Sequence, residues 1–221
     1  MNNLVKSSEW GIDPKAKEIG VSFRCGHIHG VQIKRKINSL SSLLKSRRKK
    51  VLDIEPDSDL ILNEYRAVFK SIGIKGVVSS PEYLVRLVHR NGKLPRINSV
   101  VDAYNQVSGE RRVVASAHDM DKISGPVKLE IADKEIPFKP IGNGDIEWIN
   151  PGEWYVHDDK HSLCRLNCKQ SRLSSTSLDT ENLLVYVQGN NKVSDEELLE
   201  SLREICIMIT QYNGGTYTLL M

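Results

Sequence analysis

Apolar positions recur at two different periods along the chain, and each change of period marks a change of element. From residue 37 onward, Leu40, Leu43, Leu44 and Val51 fall at spacings of three, four and seven, which puts them on one face of a helix while Lys45, Arg47, Arg48 and Lys49 spread over the others. After Pro56 a second helix is predicted from the stripe Leu60, Tyr65, Val68, Phe69 and Ile72, with Gly73 and Gly76 as stop signals. A third begins at Ser79-Ser80-Pro81, where serine can cap first-turn amides and proline is tolerated. It carries Leu84, Leu87 and Val88 as its core stripe and ends at Asn91-Gly92. Residues 94–109 begin extended because of Pro95, then read as a helix through Val100, Val101, Tyr104 and Val107 that ends at Ser108-Gly109. The last helix opens on Ser194 and Glu197 in capping-box spacing, runs through Leu198, Leu202, Ile205 and Ile209, and stops at Asn213-Gly214-Gly215.

The other segments are β-like. Residues 19–23 and 31–33 read as strands joined by a Gly- and His-containing turn at 25–30, and residues 112–187 hold a series of short apolar runs. Asp133-Lys134, Asn143-Gly144 and Asp158-Asp159 supply turns at hairpin spacing, and residues 216–221 can add a closing strand. The expectation is an α+β fold, a mixed or antiparallel sheet flanked by several helices, with residues 1–221 forming one domain because no linker or repeat divides them.

At 221 residues, 39% hydrophobic and 27% charged, the chain is long enough for one core and unlike disordered, collagen or coiled-coil sequences. No apolar run approaches the roughly 20 residues that span a bilayer, and the opening MNNLVKSSEWG lacks the apolar stretch of a secretory signal. These features place the chain away from membranes, in the cytoplasm, with its four cysteines as free thiols. The net charge of +3 conceals an uneven distribution: residues 34–50 hold eight Lys or Arg and no Asp or Glu, which leaves the remainder acidic by five charges. Arg47, Arg48, Lys49 and Lys50 are therefore candidate contacts to a nucleic-acid backbone, or else a solvated helix face.

Candidate chemistry is sparse. His157, His161, Cys164 and Cys168 fall within twelve residues, but on one hairpin rather than in two separated pairs, and Cys164 and Cys168 would share a buried strand face, so no metal is expected. Gly142-Asn143-Gly144 reads as a tight turn, and the common motifs for nucleotide binding, serine hydrolysis and zinc proteolysis are absent, so no cofactor is expected. His118 in ASAHDMD sits beside Asp119 and Asp121, where an imidazole can act as acid or base or simply bond to neighbouring backbone.

The order and spacing of NEYRAVFKSIGI (63–74), SSPEYLVRLVHRNGKLPRINSVVDAYNQVSG (79–109), SAHDMDKISGPVKLEIA (116–132), PGEWYVHDD (151–159) and CRLNCKQS (164–171) are more specific than any one of them. Together they resemble the editing module of the phenylalanyl-tRNA synthetase beta chain, and more closely the stand-alone B3/B4 proteins that carry this tRNA-binding module alone. The resemblance is strongest over residues 55–215, with 1–54 supplying the first strands and the basic helix of the same unit. It implies an α+β fold, tRNA as partner, and hydrolysis of mischarged aminoacyl-tRNA in trans, beside a phenylalanyl-tRNA synthetase. A synthesis pocket for phenylalanine excludes tyrosine imperfectly, so a second pocket must remove the error. By resemblance Asn105 and His118 occupy catalytic-pocket positions, with Tyr104 where the synthetase chains usually have threonine; on the hydrolysis reading Arg96 is a candidate contact to a terminal phosphate, or equally a structural ion-pair partner. The chain departs from the family where a glycine-rich stretch ending in a specificity glutamate is replaced by LCRLNCKQSR, which puts Cys164, Arg165 and Asn167 at the substrate. That departure leaves an alternative: a non-catalytic module binding RNA or an amino-acid-like ligand.

Overall fold

The computed structural model describes residues 10–142 and 144–220; the first nine residues of the MNNLVKSSEWG segment and Asn143 of the expected turn lie outside them. The chain opens with β1 (Gly11–Ile12), α1 (Pro14–Glu18) and β2 (Ser22–His29). Four helices follow: α2 (Asn38–Leu52), α3 (Leu60–Ser71), α4 (Ser80–Asn91) and α5 (Ser99–Arg111). The β-rich half holds β3 (Val114–Asp119), β4 (Lys128–Ile131), β5 (Ile136–Phe138), β6 (Glu147–Ile149), β7 (Trp154–His157), β8 (Ser162–Arg165), β9 (Lys169–Gln170) and β10 (Asn182–Gly189). Helix α6 (Asp195–Asn213) and β11 (Thr216–Leu219) close it. This is the α+β architecture expected, and no helix among the described residues is long and apolar enough to cross a membrane.

The strands form an antiparallel four-stranded sheet, β11-β2-β10-β3, a five-stranded sheet, β1-β4-β7-β8-β9, in which only β1 runs parallel to its neighbour, and the small pair β5-β6. Side chains alternate faces along a strand, so the central sheet sorts its residues strictly. Ile28, Ala115, Ala117, Leu183, Val185 and Val187 face α2, α5 and α6, where Leu40, Val107 and Cys206 join them. Phe23, Cys25, Leu184 and Tyr186 face the second sheet and meet Leu129, Trp154, Val156, Leu163 and Cys164. Strand β10 is buried on both faces, which explains why its sequence LLVYV shows no alternation.

Local signals placed the helix starts well. Ser79 caps α4 by accepting from Glu82 N, Gly92 ends it in the left-handed conformation, and Ser194 with Glu197 closes a full capping box on α6. Four expectations are corrected. Residues 25–29 are not a turn but the second half of β2, which pairs with β10 from Ser22↔Gly189 to His29↔Asn182; Gly26 is there because a Cβ would stand 3.0 Å from the Thr218 carbonyl oxygen. Residues 31–33 form no strand, although Val31 and Ile33 are buried against α2. Helix α5 runs two residues beyond Gly109, and Leu60, expected in a core stripe, is exposed at the first position of α3.

Candidate functional site

On β3 the alternation that sends Ala115 and Ala117 to the helices sends Ser116 and His118 into the gap between the two sheets. His118 is fully buried there. Its Nε2 is hydrogen-bonded with Ser116 Oγ at 2.9 Å and lies 3.3 Å from Tyr186 Oη, and its Nδ1 is hydrogen-bonded with Ser174 Oγ at 2.8 Å. The ring lies nearly parallel to that of Tyr186, centroids 5.4 Å apart. Burial pushes the imidazole down to about 4 against a weaker pull from the Asp158 charge, so it is neutral at physiological pH.

The polar chain continues past Tyr186. Burial pushes the Cys164 thiol up to about 12 and the Tyr186 hydroxyl well above its ordinary value, so neither is a nucleophile in the folded state. The Cys164 thiol donates to the Leu166 carbonyl at 3.3 Å, and Trp154 Nε1 donates to Gln188 Oε1 at 3.1 Å. Asp158 is fixed below the gap, its Oδ1 accepting from Lys160 N and His161 N at 2.8 and 2.6 Å. What results is a buried row of neutral hydroxyl, imidazole, thiol and amide groups, able to orient a polar ligand and unable to carry charge. Ser116 was legible as the same-face neighbour of His118; Ser174, Tyr186 and Gln188 arrive from more than fifty residues away and carried no local signal.

The remaining candidates are dispersed. Tyr104 and Asn105 sit on α5, whose first turn is capped by Asn98 accepting from Val100 N and Val101 N. Tyr104 is buried, its hydroxyl facing Gln170, and burial pushes it to about 12; Asn105 is half-buried. The hydrogen bonds of His118 go to Ser116, Ser174 and Tyr186, not to Asn105. Arg165 turns away from the gap to grip Glu153 with two bonds of 2.7 Å and Glu147 with one of 3.0 Å. Asn167 is buried with neither amide atom hydrogen-bonded, in a β8–β9 turn where Leu166 takes φ of 52°.

The His and Cys cluster comes apart: His157 Nε2 lies 3.1 Å from Glu130, His161 lies beside Asp158, and Cys164 points into the core. Among the described residues no group of three His, Cys, Asp or Glu side chains is placed to hold a metal ion.

Helix α2 splits its basic residues. Arg47 is held by Glu110 and Glu204 in a half-buried network, with Nε donating to Glu110 Oε1 at 2.7 Å. Arg48, Lys49 and Lys50 are exposed, Arg48 donating to the Gly92 carbonyl at 2.9 Å. On the same side of the molecule Arg96 lies 2.9 Å from Asp102 and donates to Ser41 Oγ at 2.7 Å.

Residues 64–214 match the family described as the B3/4 domain. The beta subunit of phenylalanine–tRNA ligase from Fusobacterium nucleatum subsp. nucleatum is 25% identical over 157 residues, 71% of this chain, which spans only 18% of that protein. The crystal structure of an N-terminal fragment of the phenylalanyl-tRNA synthetase beta subunit from Pyrococcus horikoshii superimposes with a TM-score of 0.55 at 15% identity, over 99% of this chain and 52% of that one.

Proposed function

The chain belongs to the B3/4 domain family, and on that premise we propose that it binds tRNA and clears mischarged aminoacyl-tRNA in trans, serving a phenylalanyl-tRNA synthetase. The observation that carries this reading is that the family match, residues 64–214, takes in Asn105, His118 and the polar gap around it. The ester joining amino acid to tRNA is already activated, so its hydrolysis needs a placed water and donors for the developing oxyanion rather than a side-chain nucleophile. A neutral imidazole suits that task. On this reading the tRNA terminus displaces Ser174, the Nδ1 bond passes to substrate or water, and Ser116 and Tyr186 hold the ring. Asn105 orients the ester from α5, and the end of β8 with its following turn, bearing Cys164, Arg165 and Asn167, borders the amino acid. Arg48, Lys49 and Lys50 supply affinity for the phosphate backbone.

The test is deacylation of a panel of labelled aminoacyl-tRNAs, correct and mischarged, by the wild type and by His118→Gln. Selective hydrolysis of one mischarged species, reduced at least about a hundredfold in the variant, is the expected result. The complete enclosure of His118, with both ring nitrogens occupied, favours a second reading, a non-catalytic module that kept the fold; absence of hydrolysis of every species with tRNA binding intact would establish it.

A further inference from the structure

Away from the His118 gap, α2, α4 and the segment leading into α5 enclose a cleft of about 300 Å³. Its floor is aliphatic, formed by Leu44, Val51, Val88, Leu94 and Pro95. Its rim is cationic: Lys45, Arg48 and Lys93 are exposed, and Arg96 stands beside them. One carboxylate lies at the base. The Asp102 side chain is 1% exposed and its Oδ1 accepts from Ile97 N at 2.8 Å. Its Oδ2 faces Arg96 Nε at 2.9 Å without the alignment of a hydrogen bond and is left with no hydrogen-bond partner. A buried acceptor in that state calls for a donor.

The three features specify a ligand. Three cations on the rim, Lys45, Arg48 and Lys93, suit a phosphate better than a single carboxylate, an aliphatic floor suits a flat ring, and a buried carboxylate oxygen suits an amine. We propose that this cleft binds a nucleotide carrying an exocyclic amine, with the base on the Leu44–Leu94 floor, the amine on Asp102, and the phosphate on Lys45, Arg48 and Lys93. The site is separate from the sheet gap, since neither His118 nor its partners Ser116, Ser174 and Tyr186 line it. The inference rests on the tRNA reading only for the source of the nucleotide, an RNA chain rather than the free mononucleotide.

Equilibrium dialysis of the whole protein with AMP, CMP, GMP, UMP and inorganic phosphate tests the site, with tRNA added as competitor in a second arm. Amine-bearing nucleotides should bind about tenfold more tightly than UMP, and more tightly than phosphate; Asp102→Asn should close the gap to UMP, and Lys45→Gln with Lys93→Gln should weaken all of them. Leu94→Trp, at a half-buried position of the floor, should fill the cleft and abolish AMP binding, which keeps the test decisive even where Asp102→Asn unfolds the chain. If phosphate or UMP binds as well as AMP, or no mononucleotide binds while tRNA does, the cleft assignment is overturned and the tRNA reading stands. AMP binding that tRNA does not displace supports the cleft and removes an RNA chain as the source of its nucleotide, while the deacylation panel decides the tRNA reading.

Discussion

A histidine that hands both ring nitrogens to hydroxyl groups and is shut off from water has its protonation decided by burial, and His118 is in that position. Its affinity for a proton drops from the ordinary 6.5 to about 4 in the fold, so between those values the unfolded chain binds a proton that the native one refuses. Stability is therefore unaffected by His118 above about pH 6.5 and declines as pH falls towards about 4, by about 3 kcal/mol in all. Urea titrations at pH 7 and pH 5 should show about 2 kcal/mol of this loss in the wild type and a smaller change in His118→Gln. The sequence marked His118 by its acidic neighbours, Asp119 and Asp121, yet neither touches the ring. Asp119 instead accepts from Thr180 and pairs with Lys122, and Asp121 accepts from Asn182. Adjacent residues on a strand point to opposite faces, so nearness in sequence misled where alternation would have led to Ser116.

Elements were legible where their ends are chemical and illegible where only a tertiary contact explains a residue. The caps of α4 and α6 are side-chain chemistry and were readable from Ser79, Gly92, Ser194 and Glu197. Gly26 and Gly109 look like punctuation but end nothing: the first answers to packing, admitting the backbone of β11 beside β2, while the second lies inside α5 with room for a side chain beside Val51. A Cβ at Gly109 would meet the Val51 methyl carbons at 3.5 and 3.6 Å, an ordinary contact, while Gly in a helix interior costs about 0.5–1 kcal/mol relative to Ala. Gly109→Ala should thus raise stability by up to about 1 kcal/mol, seen as a melting temperature about 2–4 °C higher. The same change at Gly26 should be destabilising. Strand β9 and helix α1 escaped notice because pieces of two and five residues are too short for a hydrophobic period to repeat.

For the molecule as a whole, the uneven charge was plain from composition, but which charges face outward was not. Arg47 belongs to the interior accounts of α2, α5 and α6, since it neutralises Glu110, 6% exposed, and Glu204. Burial tends to raise Glu204, yet Arg47 and Arg111 hold it below the usual carboxylate range. Arg47→Gln should cost about 2 kcal/mol in urea unfolding, less than a fully buried pair because solvent reaches part of the guanidinium. Neutralising Arg48, Lys49 and Lys50 together should instead leave stability within about 0.5 kcal/mol and flatten the dependence of log affinity for tRNA on log salt by about two to three units. An unchanged slope would remove α2 from the RNA surface. The layered core has one more consequence, for kinetics. Cys25 and Cys164 lie between the sheets and Cys206 between sheet and helices, each with its thiol pushed to about 12, while Cys168 is half-buried. A thiol-reactive dye must wait for the layer above each sulfur to open, so four labelling rates read by mass spectrometry would time the two interfaces separately and report which side of the central sheet lets go first.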